Sequence, residues 1–375
     1  MRIGIIVDRI FPSYKGGYEI QFFKIAEYLS KENQVNVFTA EGVTKNENSL
    51  TFFKVSPHYV FVNRKGVHNF HDHLKFTLKL KRKLMTNPMD CYIINGIPYL
   101  LIPSILSQIK TKKIVVFQEA WYQYLNRMHP LLKTILRRQI KKIVENTDLV
   151  VAGSNSTMDS LIKNYKCKNI VLIPNGIDPV PSIIEKTAKK YDIIYMGRIV
   201  SIKHLEHLLE AVLIIKKKMP NVSVVIAGEG PLKEKLISLT DKLGINNSVK
   251  FIGNITEELK YKFLASGKIF VLPSEREGFS ISSLEAMGCG TVPIVSMSKF
   301  EEVCGFKDFV IDRQTGLLYN YGNIEELSNK ILELLQNNIL YKKLRENALE
   351  VSKNYEWNKI LPSYLGVVNK LLSDR

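Results

Sequence analysis

The sequence is poor in cysteine and contains no long apolar run. Four cysteines, Cys91, Cys167, Cys289 and Cys304, occur in 375 residues, and none belongs to a Cys-x-x-Cys pair. A disulfide framework is excluded on that count, and buried thiols are expected. No stretch reaches the ~18–20 apolar residues of a membrane span. The segment Tyr99–Leu106 comes nearest and is broken by Pro103 and Ser104. The opening Met1-Arg2-Ile3-Gly4-Ile5-Ile6-Val7-Asp8 is too short in apolar residues for a secretion leader, and an acid closes it. The expectation is a cytoplasmic chain, with peripheral docking on the inner face of the membrane as its extension. Acidic residues are also scarce, 36 against 53 Lys and Arg, for a net charge of +17. The deficit is uneven. Residues 1–180 hold 26 basic and 13 acidic residues, and residues 181–375 hold 27 and 23. A basic first half suits nucleic acid, an anionic membrane or an acidic substrate, and is equally what a lysine-rich composition gives with no partner at all.

What is present is a regular alternation of short apolar runs and helical patterns, the signature of βαβ units and parallel sheets. In the first half the strands read as Arg2–Val7, Val35–Phe38, Thr51–Val55, Cys91–Ile94, Ile114–Phe117, Leu149–Ala152 and Ile170–Ile173. Helices are expected over Tyr18–Ser30, His71–Met85, Pro98–Ile109, Leu131–Val144 and Ser156–Asn164. The turn-rich Pro174–Pro181 marks a hinge between two domains, the first ending near residue 180. The alternation then restarts. Strands are expected at Asp192–Met196, Ser223–Ala227, Lys250–Ile252, Ile269–Leu272 and Pro293–Val295. Helices are expected at His204–Met219, Pro231–Leu243, Glu257–Ala265 and Ser282–Gly288, and Ile324–Leu372 is nearly all helical.

Open α/β sheets bind ligands beyond the carboxyl ends of their strands, so the strand-to-helix loops carry the candidates. Gly16-Gly17 in the first loop permits close approach of a ligand to the backbone, or is a flexible turn. Gly-x-Gly-x-x-Gly is absent there, which speaks against a dinucleotide site. Arg198 and Lys203 follow a strand and suit a diphosphate, or are two solvated cations. Gly228-Glu229-Gly230-Pro231 reads as an architectural turn with Pro231 at the first helical position. The segment Pro273–Gly288 runs strand, polar loop, helix, with Glu277 in the loop and Glu285 in the helix. Amides near Ser280–Ser282 would face an anion. Ser282-Ser283-Leu284-Glu285 also matches a helix capping box, which by itself would account for Glu285.

Together these pieces resemble the retaining GT-B glycosyltransferases of family 4, the glycosyltransferase group 1. The resemblance spans essentially the whole chain. It rests on Phe11-Pro12 followed by Gly16-Gly17-Tyr18-Glu19, on Ile173–Asp178, on Gly197-Arg198-Ile199-Val200-Ser201-Ile202-Lys203, on Gly228–Pro231, and on Glu277 and Glu285 in the family's E-x7-E. It implies two Rossmann-like domains facing across a cleft, residues 1–180 binding the acceptor and 181–356 the donor, with a final helix near 357–375 packing back on the first. It further implies that Arg198 and Lys203 bind the donor diphosphate and that Glu277 contacts the transferred sugar. Glu285 would bond the ribose, and backbone at Gly278, Phe279, Ser280 and Ile281 would support sugar and phosphate. Gly16 and Gly17 would approach the phosphates from the other domain. Catalysis would fall to Glu277, Arg198 and Lys203. The implied reaction moves a hexose-type sugar from a nucleoside-diphosphate sugar to a glycan or lipid-linked acceptor in cell-surface polysaccharide or glycolipid biosynthesis. No Asp-x-Asp occurs, so neither metal nor other cofactor is expected. Two departures stand out. Relatives often place a histidine where this chain has Gln118-Glu119, and either residue is a candidate for its position. The glycine that usually follows the family's lysine is His204.

His68-x2-His71-x-His73 is conceivable as a metal site but fits a solvated helix start better. The run Lys79–Leu84 suits anionic headgroups or a solvated helix face. Two rival functions remain. A nucleotide-sugar epimerase shares the fold, but Arg198…Lys203 with Glu277…Glu285 argues against it. A nucleic-acid-binding protein would suit the basicity, but no RRM, zinc-finger or helix-turn-helix signature is present, so no nucleic-acid partner is expected.

Overall fold

The structure, a computed structural model, describes residues 1–12, 16–40, 49–55, 70–96, 106–107, 109–120, 122, 124–181, 184, 187–298 and 304–373. The chain divides into two compact units, one of Met1–Gly176 with Trp357–Arg375 and the other of Ile177–Glu356.

In the first unit β1 (Arg2–Ile6) leads to α1 (Gly17–Leu29), β2 (Gln34–Thr39), β3 (Leu50–Lys54), α2 (Phe70–Thr86), β4 (Cys91–Asn95) and β5 (Lys112–Phe117). It continues through α3 (Pro130–Glu145), β6 (Leu149–Ala152), α4 (Asn155–Tyr165) and β7 (Ile170–Leu172). The strands form one parallel sheet in the order β3-β2-β1-β4-β5-β6-β7. Its central strands β1, β4, β5 and β6 carry near-continuous apolar runs because both faces are covered. Ile6, Tyr92, Ile94, Val115 and Phe117 pack on one side with Phe76, Leu80, Leu136 and Ile140 of α2 and α3. Ile3, Ile5, Cys91, Ile93 and Val116 pack on the other with Phe22 and Ile25 of α1.

The second unit repeats the plan. It comprises β8 (Tyr191–Met196), α5 (Leu205–Lys216), β9 (Val224–Ala227), α6 (Lys233–Lys242), β10 (Val249–Phe251), α7 (Glu257–Ala265) and β11 (Gly267–Leu272). There follow α8 (Ile281–Gly288), β12 (Val292–Met297), β13 (Leu317–Asn320), α9 (Ile324–Gln336) and α10 (Asn338–Ser352). The parallel sheet runs β10-β9-β8-β11-β12-β13. Both sheets have the doubly wound Rossmann order, which reverses direction beside the first strand of each unit. In the second sheet that switch lies between β8 and β11. The last helix, α11 (Trp357–Ser373), belongs to the first unit, where Trp357, Tyr364 and Val368 join the α1 side of the core.

Two readings of the sequence need correction. Pro231 is not the first helical residue, since α6 starts at Lys233 after a turn. Strand β13 was not anticipated. The tail is nearly all helical, as expected, and is divided by Asn337, which ends α9 and caps α10, its side chain accepting from the Leu340 amide at 3.0 Å. Most of the helix expected over Pro98–Ile109 lies outside the described residues, as does His68 of the histidine cluster.

Candidate functional site

Beyond β8 the chain is zipped to the segment after β9. The Gly197 amide donates to Ala227 O (3.1 Å) and the Ile199 amide to Glu229 O (2.8 Å). The approach is so close that a Cβ on Gly228, at φ +140, would overlap the Gly197 carbonyl, and one on Gly230 would overlap that of Ile199. Two glycines are therefore required for packing, without any ligand. With its backbone held, Arg198 stands exposed while its carbonyl accepts the buried Tyr195 hydroxyl at 3.0 Å. A single 3-10 turn, Ser201–Lys203, then brings Lys203 back toward the sheet before α5 begins.

The loop after β11 meets that turn. The Glu275 amide donates to Ile202 O at 2.9 Å, and the Lys203 ammonium forms an ion pair with the Glu277 carboxylate. Both side chains are more than four-fifths buried, so the pair is only weakly screened. Glu277 is fixed in turn by its carbonyl, which accepts from the Gly305 amide at 3.2 Å. Gly278 and Phe279 are buried, and the Phe279 ring packs on Phe309 and Tyr355 at 5.1 and 5.9 Å. The side chain of Phe279 is thus an anchor for the loop. Ser280 takes the left-handed conformation (φ 72°), with its hydroxyl 2.7 Å from that of Ser283. Ser283 and Leu284 donate to Ser280 O. This leaves the amides of Ile281 and Ser282 as first-turn donors without an intrahelical acceptor, at the positive end of the α8 dipole.

The capping box expected at Ser282–Glu285 does not form. The helix starts at Ile281, its N-cap is Ser280, and no side chain caps it. Glu285 lies one turn further in, where its Oε1 accepts from Lys260 of α7 at 2.7 Å. Burial pushes the Glu285 carboxyl above the usual carboxylate range, and the Lys260 ammonium opposes that shift. Burial likewise works to lower Lys260, but Glu285 holds it well above the ordinary lysine range, so the two stand as an ion pair. Lys260 carried no signal in the sequence beyond Glu257, its partner one turn earlier at 2.9 Å.

In the first unit Gly16 is the N-cap of α1 and Gly17 its first residue. A side chain on Gly16 would overlap the carboxylate of Glu19, which folds over the helix start. At the end of β5, Gln118 sits in a chain of amides. Asn175 Nδ2 donates to its Oε1 (2.7 Å), its Nε2 donates to Gln21 Oε1, and Gln21 Nε2 donates to the Tyr364 hydroxyl (3.0 Å). Beside it, buried Asp8 accepts from the Tyr18 hydroxyl at 3.1 Å and from Asn95 at 3.4 Å. These polar groups gather at the carboxyl ends of β1, β4 and β5, and were not singled out from the sequence, Gln118 apart.

Two family comparisons cover most of the chain: the glycosyltransferase family 4 match spans residues 15–180, and the glycosyl transferases group 1 match spans residues 176–351. The chain belongs to the group 1, family 4 glycosyltransferases. An uncharacterized glycosyltransferase of Haemophilus influenzae is 26% identical over 98% of this chain and 99% of its own. A sucrose-phosphate synthase from Thermosynechococcus elongatus superposes with a TM-score of 0.82 at 20% identity, covering all of both chains. Anabaena HepE, solved with UDP and glucose, gives 0.76 at 17% identity over 99% of this chain and 100% of its own. The fold is GT-B, and the protein is a glycosyltransferase. Neither the epimerase nor the nucleic-acid reading finds support among these relatives. Among the described residues no helix is long and apolar enough to cross a membrane.

Proposed function

We propose that this glycosyltransferase moves a hexose-type sugar, with retention and without a metal, from a nucleoside-diphosphate sugar to a glycan or lipid-linked acceptor in cell-surface glycan synthesis. The observation that carries the reading is the Lys203–Glu277 pair. It lies between the carboxyl ends of β8 and β11, at the switch point where such sheets take ligands. The binding of UDP and glucose by HepE, a protein of the same fold, supports this class of donor.

In this reading the incoming diphosphate draws Lys203 away from Glu277, and exposed Arg198 joins it. The freed Glu277 carboxylate accepts hydrogen bonds from sugar hydroxyls. Glu285 keeps Lys260 on one oxygen and offers the other to the ribose. As the bond from sugar C1 to the phosphate oxygen breaks, negative charge grows on the diphosphate, where Lys203, Arg198 and the Ile281 and Ser282 amides would stabilise it. The acceptor oxygen attacks C1 from the same face, and its proton passes to the departing phosphate oxygen.

The acceptor side rests on the basic first half. Helices α2 and α3 cover the same face of their sheet. Leu78 and Met85 on α2 and Leu131 and Leu132 on α3 are exposed among Lys79, Lys81, Arg82, Lys83 and Lys133. Apolar side chains set among cations suit an anionic membrane surface, where a lipid-linked acceptor would be held.

A thermal-shift series in EDTA against UDP, GDP, ADP and their sugar conjugates tests the donor site. At about a hundred times Kd, one nucleotide should stabilise the fold by about 2.7 kcal/mol. Silence from all of them overturns the reading. Lys203→Ala and Glu277→Ala should fold normally and each lose about a hundredfold or more in transfer. Activity within a few-fold of wild type for both would remove these residues from the site.

A further inference from the structure

The turn that carries Lys203 ends in a group of side chains that glycosyl transfer does not use. His204 adopts φ 43° and ψ 47°, the left-handed conformation. Glycine takes it freely, whereas a histidine there is retained at a cost that its side chain must offset. The imidazole is well held: its Nδ1 lies 2.8 Å from Glu206 Oε1, and its ring stacks on His207 at 5.1 Å with 15° between planes. Tyr321 stands edge-on to both rings, at 5.3 and 5.5 Å. Among the described residues the buried Nδ1 of His207 has no hydrogen-bond partner, which leaves the cost of its burial without compensation from them. One donor atom each from His204, Glu206 and His207 lies within 4.8 Å of the others.

We infer that His204, Glu206 and His207 form a binding site for a borderline divalent cation of the Zn2+ class. Two imidazoles and one carboxylate suit Zn2+, Co2+ or Ni2+, whereas Mg2+ and Ca2+ take all-oxygen shells. Bonds of about 2.0–2.2 Å place tetrahedral ligands roughly 3.3 Å apart, so side-chain rotations of about an ångström close the set. Three protein ligands leave one position open. His204 Nε2, on the other edge of the ring from Glu206, lies 4.0 Å from Glu275 Oε2 on the neighbouring loop, where a carboxylate can orient a metal-bound imidazole. A cation held there braces the 201–204 turn against the 274–277 loop, which the Glu275 amide already joins to Ile202 O. Those two loops carry Lys203 and Glu277, yet the cation touches neither, so this site is separate from the metal-free donor chemistry proposed above.

The test uses the full chain, Zn2+ and Co2+ alone, and the variants His204→Gly and His207→Ala. Equilibrium dialysis should find one Zn2+ bound per wild-type chain, with a midpoint raised by Zn2+, restored by EDTA and unmoved by Mg2+. Co2+ should give visible d–d bands without a thiolate charge-transfer band, since all four cysteines are buried elsewhere. His204→Gly suits the left-handed turn and will fold. It should bind Zn2+ at least about tenfold more weakly, as should His207→Ala. Wild type that binds no Zn2+, a thiolate band, or both variants binding as wild type would overturn the site. The last of these would place the cation on another cluster, such as residues 68–73.

Discussion

Replacing Lys260 by methionine would strand the Glu285 carboxyl on α8 with no cation beside it. In the native protein Lys260 Nζ lies 2.7 Å from Glu285 and 2.9 Å from Glu257, and the side chains of Lys260 and Glu285 are 14% and 10% exposed. Removing one member of such a buried pair costs about 3–5 kcal/mol while the remaining charge persists. Glu285 has one escape, which is to take up a proton. Burial already pushes it above the carboxylate range, and Lys260 is the main counterweight. Without Lys260 the folded-state value climbs further above the unfolded value of about 4.3. The folded variant then keeps a proton that the unfolded chain sheds. Its stability is therefore greatest at and below the unfolded value, and falls as pH rises toward the folded one, by up to about 1.4 kcal/mol per unit. Urea unfolding of wild type and Lys260→Met between about pH 5 and pH 8 should show a gap that widens with pH. Adding Glu285→Gln should recover most of the loss and flatten the dependence. A loss below about 1 kcal/mol that does not vary with pH would refute the reasoning, because it would mean that water reaches Glu285 freely.

Glu277→Gln should separate binding from chemistry. It releases Lys203, so affinity for the nucleoside diphosphate should rise roughly fivefold, about 1 kcal/mol, while transfer falls; calorimetry and a radiolabelled-sugar assay read the two. Lys189 donates to Gly290 O (2.8 Å) and the Thr291 hydroxyl (3.1 Å) behind α8, and burial, with Arg345 adding to it, lowers its pKa to about 7. Below about 7 both folded and unfolded chains carry the charge; above it only the unfolded chain does, so this residue's contribution to stability should rise with pH toward about 10.4. Lys189→Met should lose that rise in urea titrations, and an unchanged slope would exclude it. Tyr364→Phe removes the acceptor of buried Gln21 Nε2, at 3.0 Å, and should destabilise the first unit by about 1–3 kcal/mol in chemical denaturation. Changing Lys81, Arg82 and Lys83 to Gln should weaken binding to anionic vesicles by about 1 kcal/mol per charge in flotation assays. Equal binding would remove α2 from any membrane contact.

Much of the fold was legible because parallel strands covered on both faces must be continuous apolar runs, and Ile93-Ile94, Val115-Val116 and Ile269–Leu272 are such runs. The loops were legible for a related reason: ligands gather where those runs end. The pairings were not. Lys203 and Glu277 are 74 residues apart, and Lys260 and Glu285 are 25 apart. The first pair meets because β11 lies beside β8, with β9 and β10 displaced to the other side, and the second because α7 and α8, which precede and follow β11, pack together. Strand order of that kind arises from crossover packing across the whole sheet and leaves no local trace. Glu285 shows the converse error. Its spacing from Ser282 mimics a capping box, but the N-cap is Ser280, two residues earlier than the box requires, and the carboxylate turns to α7 instead. A local motif and a tertiary partner competed for the same side chain, and the buried lysine won.

For the donor site proposed above, the two ion pairs also decide how its charges are balanced. Converging cations at the end of a sheet repel each other and the helix dipoles around them. Here Lys203 and Lys260 are each matched to a carboxylate of the same binding region, while Arg198 alone projects outward. In the proposed exchange the diphosphate would replace one partner only, at Lys203. The two carboxylates differ in what holds them. Glu277 sits on a loop fixed through its own carbonyl, and the Lys203 it loses is the cation the diphosphate gains. Glu285 is deep in α8, where Lys260 is also tied to Glu257, so that pair has no reason to open. On that proposal one carboxylate is suited to change partners during turnover and the other to remain a fixed acceptor, a difference that follows from what holds each of them, since their side chains are almost equally buried, at 13% and 10% exposed.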